Sequence, residues 1–139
     1  MAIIKPEYQF SEETGNILAA AFEVHSIIGC GFLEKVYHRA LEIELSNRKI
    51  PFATERDMNI YYKNHKVGGR RVDLFVYNHI SVELKAVSLL DNTDLAQAIN
   101  YLQAFKIDIG LIINFGARKL EFRRLINPRL LNKNGKRAT

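Results

Sequence analysis

At 139 residues the chain has the length of one domain, and 47% hydrophobic with 25% charged residues is the balance of a folded globular protein, not a disordered one. No apolar run reaches the roughly 18 residues a membrane span needs, and the first residues lack a signal peptide's apolar block, so neither a span nor export is expected. A net charge of +5 makes a polyanionic partner reasonable without choosing among polyanions.

Residues 1–10 read as a lead-in. Ser11 has the side chain of a helix N-cap, Glu12 and Glu13 suit the first turn, and Ile17, Ala21, Val24 and Ile28 recur at helical spacing. Gly29-Cys30-Gly31 ends that helix, and a second is expected from about Phe32 to Asn47. Glu34, Tyr37 and His38 stand at i, i+3 and i+4 and share one side of its first turns. After Pro51, a strand is expected over Thr54–Tyr62, with a turn at Lys63-Asn64-His65 or at Gly68-Gly69. A hairpin follows from Arg70 to Ala86. A third helix opens at Asp91 or Thr93 and runs to about Phe105, with Gln97 and Tyr101 four apart beside its apolar stripe. Ile107–Phe115 is apolar nearly throughout, as in a strand buried on both faces and often paired in parallel. Leu120–Leu125 fits an arginine-rich edge strand, and a basic tail is expected from residue 127 to 139. The domain is thus expected over residues 11–126. Its order of helix, helix, three strands, helix, strand, strand predicts an α/β fold with a mixed sheet, an antiparallel meander followed by a helical crossover to the buried strand, and helices on both faces.

The hairpin carries the candidate chemistry. Val72, Leu74, Val76, Ile80, Val82, Leu84 and Ala86 share one parity and give a continuous apolar face; Asp73, Glu83 and Lys85 share the other. Keeping the apolar face intact requires Val72 opposite Leu84 and Asp73 opposite Glu83, hence a three-residue loop at Tyr77, Asn78 and His79. A two-residue turn would set Asp73 against Leu84. Directly opposed side chains have Cβ atoms roughly 5 Å apart, close enough for two carboxylates to share a divalent cation. The competing reading is a solvated face bearing a Glu–Lys pair. His25, His38, His65 and His79 lack zinc spacing, and His25 fits a packed or capping role. Single Cys30 fits a small buried residue and a reducing cytoplasm. Arg118, Lys119, Arg123, Arg124, Arg129, Lys133, Lys136 and Arg137 are either a solvated edge or a phosphate-contacting strip.

So ordered, the chain resembles the PD-(D/E)xK nuclease superfamily, with Asp73 on the second strand and Glu83-Leu84-Lys85 on the third. Within it the chain is similar to the small GxxExxY family, whose motif appears as Gly31-Phe32-Leu33-Glu34-Lys35-Val36-Tyr37. Arg71-Val72-Asp73-Leu74, Gln97 with Tyr101, and Asn114-Phe115-Gly116 extend the resemblance over roughly residues 11 to 125. Cys30, where that family commonly has proline, is a departure. The resemblance implies a restriction-endonuclease-like core and a metal-dependent phosphodiester hydrolase acting on DNA or RNA with little sequence preference. It implies Mg²⁺ or Mn²⁺ held by Asp73, Glu83, the Leu84 carbonyl and Glu34, with Lys85 in the chemistry. Gln97, Tyr101, Arg71 and Tyr37 would position substrate or site residues, although Tyr37 by itself reads as a packed aromatic with a satisfied hydroxyl. A homodimer or a guiding protein partner is the expected route to a larger binding surface. The alternatives are a catalytically silent nucleic-acid-binding or partner-recruiting module and a metal-binding structural or regulatory domain whose acidic cluster serves stability.

Overall fold

The computed structural model describes residues 11–131. The Ser11 cap, the lead-in and the basic residues from 132 onward lie outside what is described. Helices α1 (Ser11–Ile28) and α2 (Glu34–Asn47) precede strands β1 (Phe52–Tyr62), β2 (His65–Val76) and β3 (Ile80–Lys85). Then come α3 (Asn92–Phe105), β4 (Ile109–Asn114), β5 (Glu121–Ile126) and a 3₁₀ turn at Pro128–Leu130. The sheet runs in the order β1-β2-β3-β4-β5, antiparallel except for the parallel β3–β4 pair. This is the mixed, helix-flanked sheet expected.

Period-two alternation decides which helix covers which face. Leu74, Val76, Ile80, Val82 and Leu84 pack with Leu111 and Ile113 beneath α1 and α2, against Ile17, Val24, Leu41 and Leu45. On the opposite face Phe75, Ile112 and Leu125 pack against Ala98 and Leu102 of α3. All six residues of β4 are buried, as a strand covered on both faces requires. No described helix is long and apolar enough to cross a membrane.

The β1–β2 turn falls at Lys63 and Asn64, both with positive φ, between the paired Tyr62 and His65. Two left-handed residues give the twist a tight hairpin needs. The β2–β3 loop is the three-residue one, Tyr77–His79, and Leu74–Val82, Phe75–Ser81 and Val76–Ile80 pair across it. Its tip is fastened to α1, with His79 Nε2 2.8 Å from Glu13 Oε1 and Asn16 Nδ2 donating to the Tyr77 hydroxyl at 3.2 Å.

Three local features differ from expectation. Helix α2 begins at Glu34, two residues later than expected, because Leu33 keeps an extended backbone (φ −70°, ψ 153°) and stands as the N-cap, while the Phe32 N–H donates to the Tyr37 hydroxyl. Cys30 is exposed, not buried, since it sits between Gly29 and Gly31, whose positive φ values carry the turn outward. Asn127, where the basic tail was expected to begin, is fully buried. Its side-chain amide donates to the carbonyls of Leu102 and Ile107, so residues 127–131 are tied to the end of α3.

Candidate active site

The site lies where β2 and β3 part. Their hydrogen-bonded pairing stops at Leu74–Val82, one step short of Asp73 and Glu83. The next donor on β3, the Leu84 N–H, is satisfied instead by Asp73 Oδ2 at 2.9 Å. The carboxylate therefore takes the place of a ladder carbonyl, and the split between the strands opens beside it. Glu83 and Lys85 project from β3 on the face that carries α3, and Glu83 is largely buried.

Two further elements converge here. The first turn of α2 brings Glu34 into the electrostatic range of Asp73, Glu83 and Lys85. The start of α3 brings Asp94, whose Oδ1 is 3.8 Å from Lys85 Nζ. Asp94 is fixed by a reciprocal cap: Asp91 Oδ1 accepts from the Asp94 N–H at 2.8 Å, and Asp94 Oδ2 accepts from the Asp91 N–H at 3.2 Å. Lys85 is thus tethered by a residue that also locks its own helix end.

The charges are crowded. Loss of water around Glu83 pushes its carboxyl above the ordinary value of 4.5, with Arg70 and Lys85 opposing and Asp73 adding to the rise. Glu34 is raised for the same leading reason, then by Asp73, with Lys85 opposing and Glu83 adding. Two carboxylates that burial makes hold their protons harder, in one cleft with a third, mark a partly dehydrated, charge-crowded site.

The residues fit a hard divalent cation in kind. Carboxylate oxygens and a backbone carbonyl are the donors Mg²⁺ and Mn²⁺ prefer. They are not yet gathered as a ligand set: among the described residues no group of three His, Cys, Asp or Glu side chains is placed to hold an ion. Glu83 Oε1 is instead engaged at 2.7 Å by Arg70 Nη1.

Arg70 is the residue that sequence reasoning missed. Sequence patterning assigns it no role, yet its guanidinium reaches Glu83 and lies 4.2 Å from the centroid of the Tyr101 ring. Past Leu74 no ladder ties β2 to β3, so alternation no longer fixes where its side chains point relative to Glu83. Arg71, the expected positioning residue, is instead exposed and bound to Asp57 at 2.9 Å and Glu55 at 3.6 Å. Gln97 and Tyr101 do meet, Nε2 to hydroxyl at 3.4 Å, and Tyr101 is the shelf under Arg70. Tyr37 is fully buried, stacked on Phe115 at 4.8 Å, and its hydroxyl donates to the Gly29 carbonyl at 2.7 Å. It is therefore enclosed in the core, and its hydroxyl joins the two sides of the turn that leads to Glu34. Of the expected basic strip, Arg124 reaches Thr14 and Arg129 pairs with Asp108, while Lys133, Lys136 and Arg137 lie outside the described residues.

Asn114-Phe115-Gly116 braces the site from behind. Buried Asn114 accepts from the N–H groups of Val87 and Gly116 and donates to the Val87 carbonyl and to Glu121. A Cβ on Gly116 would lie 2.4 Å from the Val87 carbonyl oxygen, so only glycine lets the chain leaving β4 pass this close to the segment leaving Lys85.

A mixed sheet whose parted central strands present Asp and Glu-x-Lys side by side is the core of the restriction-endonuclease-like class. The model of the PD-(D/E)XK nuclease superfamily matches residues 11–125, and the chain belongs to that superfamily. Among solved structures, the crystal structure of SSO0001 is similar in fold, with a TM-score of 0.53 at 19% sequence identity. The likeness covers 86% of this chain and 60% of that one, so the chain spans less than two thirds of that protein's length. No curated protein matches the sequence.

Proposed function

We propose that this protein is a divalent-metal-dependent nuclease that hydrolyses phosphodiester bonds in DNA or RNA with little sequence preference of its own. The observation that carries this reading is the set Asp73, Glu83 and Lys85 at the split between β2 and β3, with Glu34 approaching from α2. Superfamily membership supports a nucleic-acid substrate, and nucleases of this kind generally use divalent metals, typically Mg²⁺.

In this reading Asp73, Glu83, the Leu84 carbonyl and Glu34 would hold Mg²⁺ or Mn²⁺. When bound, the ion supplies polarisation of the scissile phosphate and acidification of the attacking water. Lys85, pulled towards α3 by Asp94, orients that water through its ammonium hydrogens and offsets charge that builds on the phosphate oxygens. Gln97 holds Tyr101, and Tyr101 positions the Arg70 guanidinium next to the cleft. The GxxExxY-like turn serves by delivering Glu34 to the mouth of the split, with Tyr37 fixing its geometry. Cytoplasmic residence, and a second copy or a guiding protein to widen the binding surface, belong to the same proposal.

The test is cleavage of end-labelled single- and double-stranded DNA and of RNA with Mg²⁺, Mn²⁺ or EDTA, with Lys85→Ala purified in parallel. Metal-dependent cutting by the wild type alone is expected; equal cutting by both proteins would remove Lys85 from the chemistry. A catalytically silent binding module is the second reading, favoured by the Arg70–Glu83 pair that now engages a ligand oxygen. Nucleic-acid binding without cutting under every condition would select it.

A further inference from the structure

Arg70 brings a positive charge to the acidic split that neither the Asp–Glu-x-Lys pattern nor the expected positioning residues account for. Its side chain is 21% exposed and that of Glu83 12%, so the pair is neither a solvated surface contact nor sealed from water. Arg70 Nη1 meets Glu83 Oε1 at 2.7 Å while the guanidinium rests over Tyr101. Tyr101 is itself braced, stacked nearly parallel on Phe105 with centroids 5.8 Å apart and touched by Gln97 at its hydroxyl. The shelf holds the cation by its ring face and leaves guanidinium hydrogens free of the ring plane.

We propose that Arg70 is the resident counter-ion of the split, competing with the divalent metal for Glu83 and passing to a substrate phosphate when the metal displaces it. This rests on the metal-dependent nuclease reading above. The charge balance explains both halves. Without metal, Asp73, Glu83 and Glu34 lie within electrostatic range of one another with Lys85 already drawn to Asp94, and Arg70, hydrogen-bonded to Glu83, supplies positive charge. A divalent ion on the same carboxylates makes the guanidinium a surplus cation at short range, and like charges there repel. Tyr101 keeps the released guanidinium beside the cleft, where its planar fork matches two oxygens of a phosphate. Arg70 is thus a ligand-competing and substrate-positioning residue.

The decisive experiment is calorimetric titration of Mn²⁺, then Mg²⁺, into the full chain without nucleic acid, for wild type, Arg70→Gln and Arg70→Lys. Loss of a partly exposed competing charge should tighten metal binding about three- to tenfold in Arg70→Gln, with Arg70→Lys near wild type. Affinity for a metal-saturated, non-cleavable phosphorothioate oligonucleotide should fall in Arg70→Gln. Tyr101→Leu, which removes the shelf and no charge, should lose oligonucleotide affinity while keeping wild-type metal affinity. Unchanged or weaker metal binding in folded Arg70→Gln overturns the competition, and so does a match between Arg70→Lys and Arg70→Gln. Absence of metal binding in every protein overturns the metal reading itself and the competition with it.

Discussion

Asp73 does two jobs with one carboxylate, and they can be separated. Its Oδ2 caps the Leu84 N–H at the end of the β2–β3 ladder, a role that an asparagine carbonyl can fill. Its negative charge serves only a cation. Asp73→Asn should therefore melt close to wild type while divalent-ion affinity, read by calorimetry, falls at least about tenfold. An unchanged affinity would remove Asp73 from the ligand set. Asn114 is the opposite case, with no charge and a wholly structural effect. All its hydrogen-bonding groups are used in the interior, so Asn114→Leu strands the Val87 N–H and leaves Glu121 without its amide partner. A loss of about 3 kcal/mol is expected in urea denaturation, from orphaned buried groups.

At the scale of elements, the site depends on how helix ends are fastened. The start of α3 is held by the Asp91–Asp94 box, and the same Asp94 tethers Lys85. Asp94→Ala should cost about 1 kcal/mol through the cap. It should also free Lys85, seen as a shift of its side-chain amine resonance in the NMR spectrum. Asp91→Ala should cost a similar amount with a smaller effect on Lys85, and equal perturbation by both would show that the tether acts only through the helix end. The two glycine-bearing turns contribute differently. Gly31 carries a φ of 108° that puts the chain in line for α2, whereas Gly116 is required because a Cβ there would lie 2.4 Å from the Val87 carbonyl oxygen.

For the whole molecule, the crowding of carboxylates ties stability to pH and to metal. Glu34 and Glu83 have folded-state values raised above 4.5, so the native state binds their protons more tightly than the unfolded chain does. Their contribution favours folding at low pH and is lost as pH rises from 4.5 through the raised values. Metal-free protein should lose melting temperature over that window relative to the Glu34→Gln, Glu83→Gln double variant, whose profile should be flatter. Mg²⁺ should restore it at neutral pH, because a ligand bound only by the native state stabilises by mass action. A wild-type profile parallel to the double variant's would place the pH dependence elsewhere.

Much of this was legible in the chain itself, for a local reason. Alternation in the hairpin determined that Asp73 and Glu83 share a face, and the integrity of the apolar side determined the three-residue loop at Tyr77–His79. The unbroken apolar run determined a strand buried on both faces, and its parallel pairing with β3 followed from the helix between them. These are periodic properties, set by backbone geometry within a few residues. What only the tertiary structure decided begins where the ladder ends. Once β2 leaves β3, nothing in the spacing of residues says that Arg70 rather than Arg71 turns to Glu83, or that Tyr101 waits beneath it. The Asp94 tether on Lys85, the four-way clasp of Asn114 and the anchoring of Asn127 to α3 likewise join segments distant in sequence. Such contacts are set by how the helices pack on the finished sheet, where long-range geometry replaces local period.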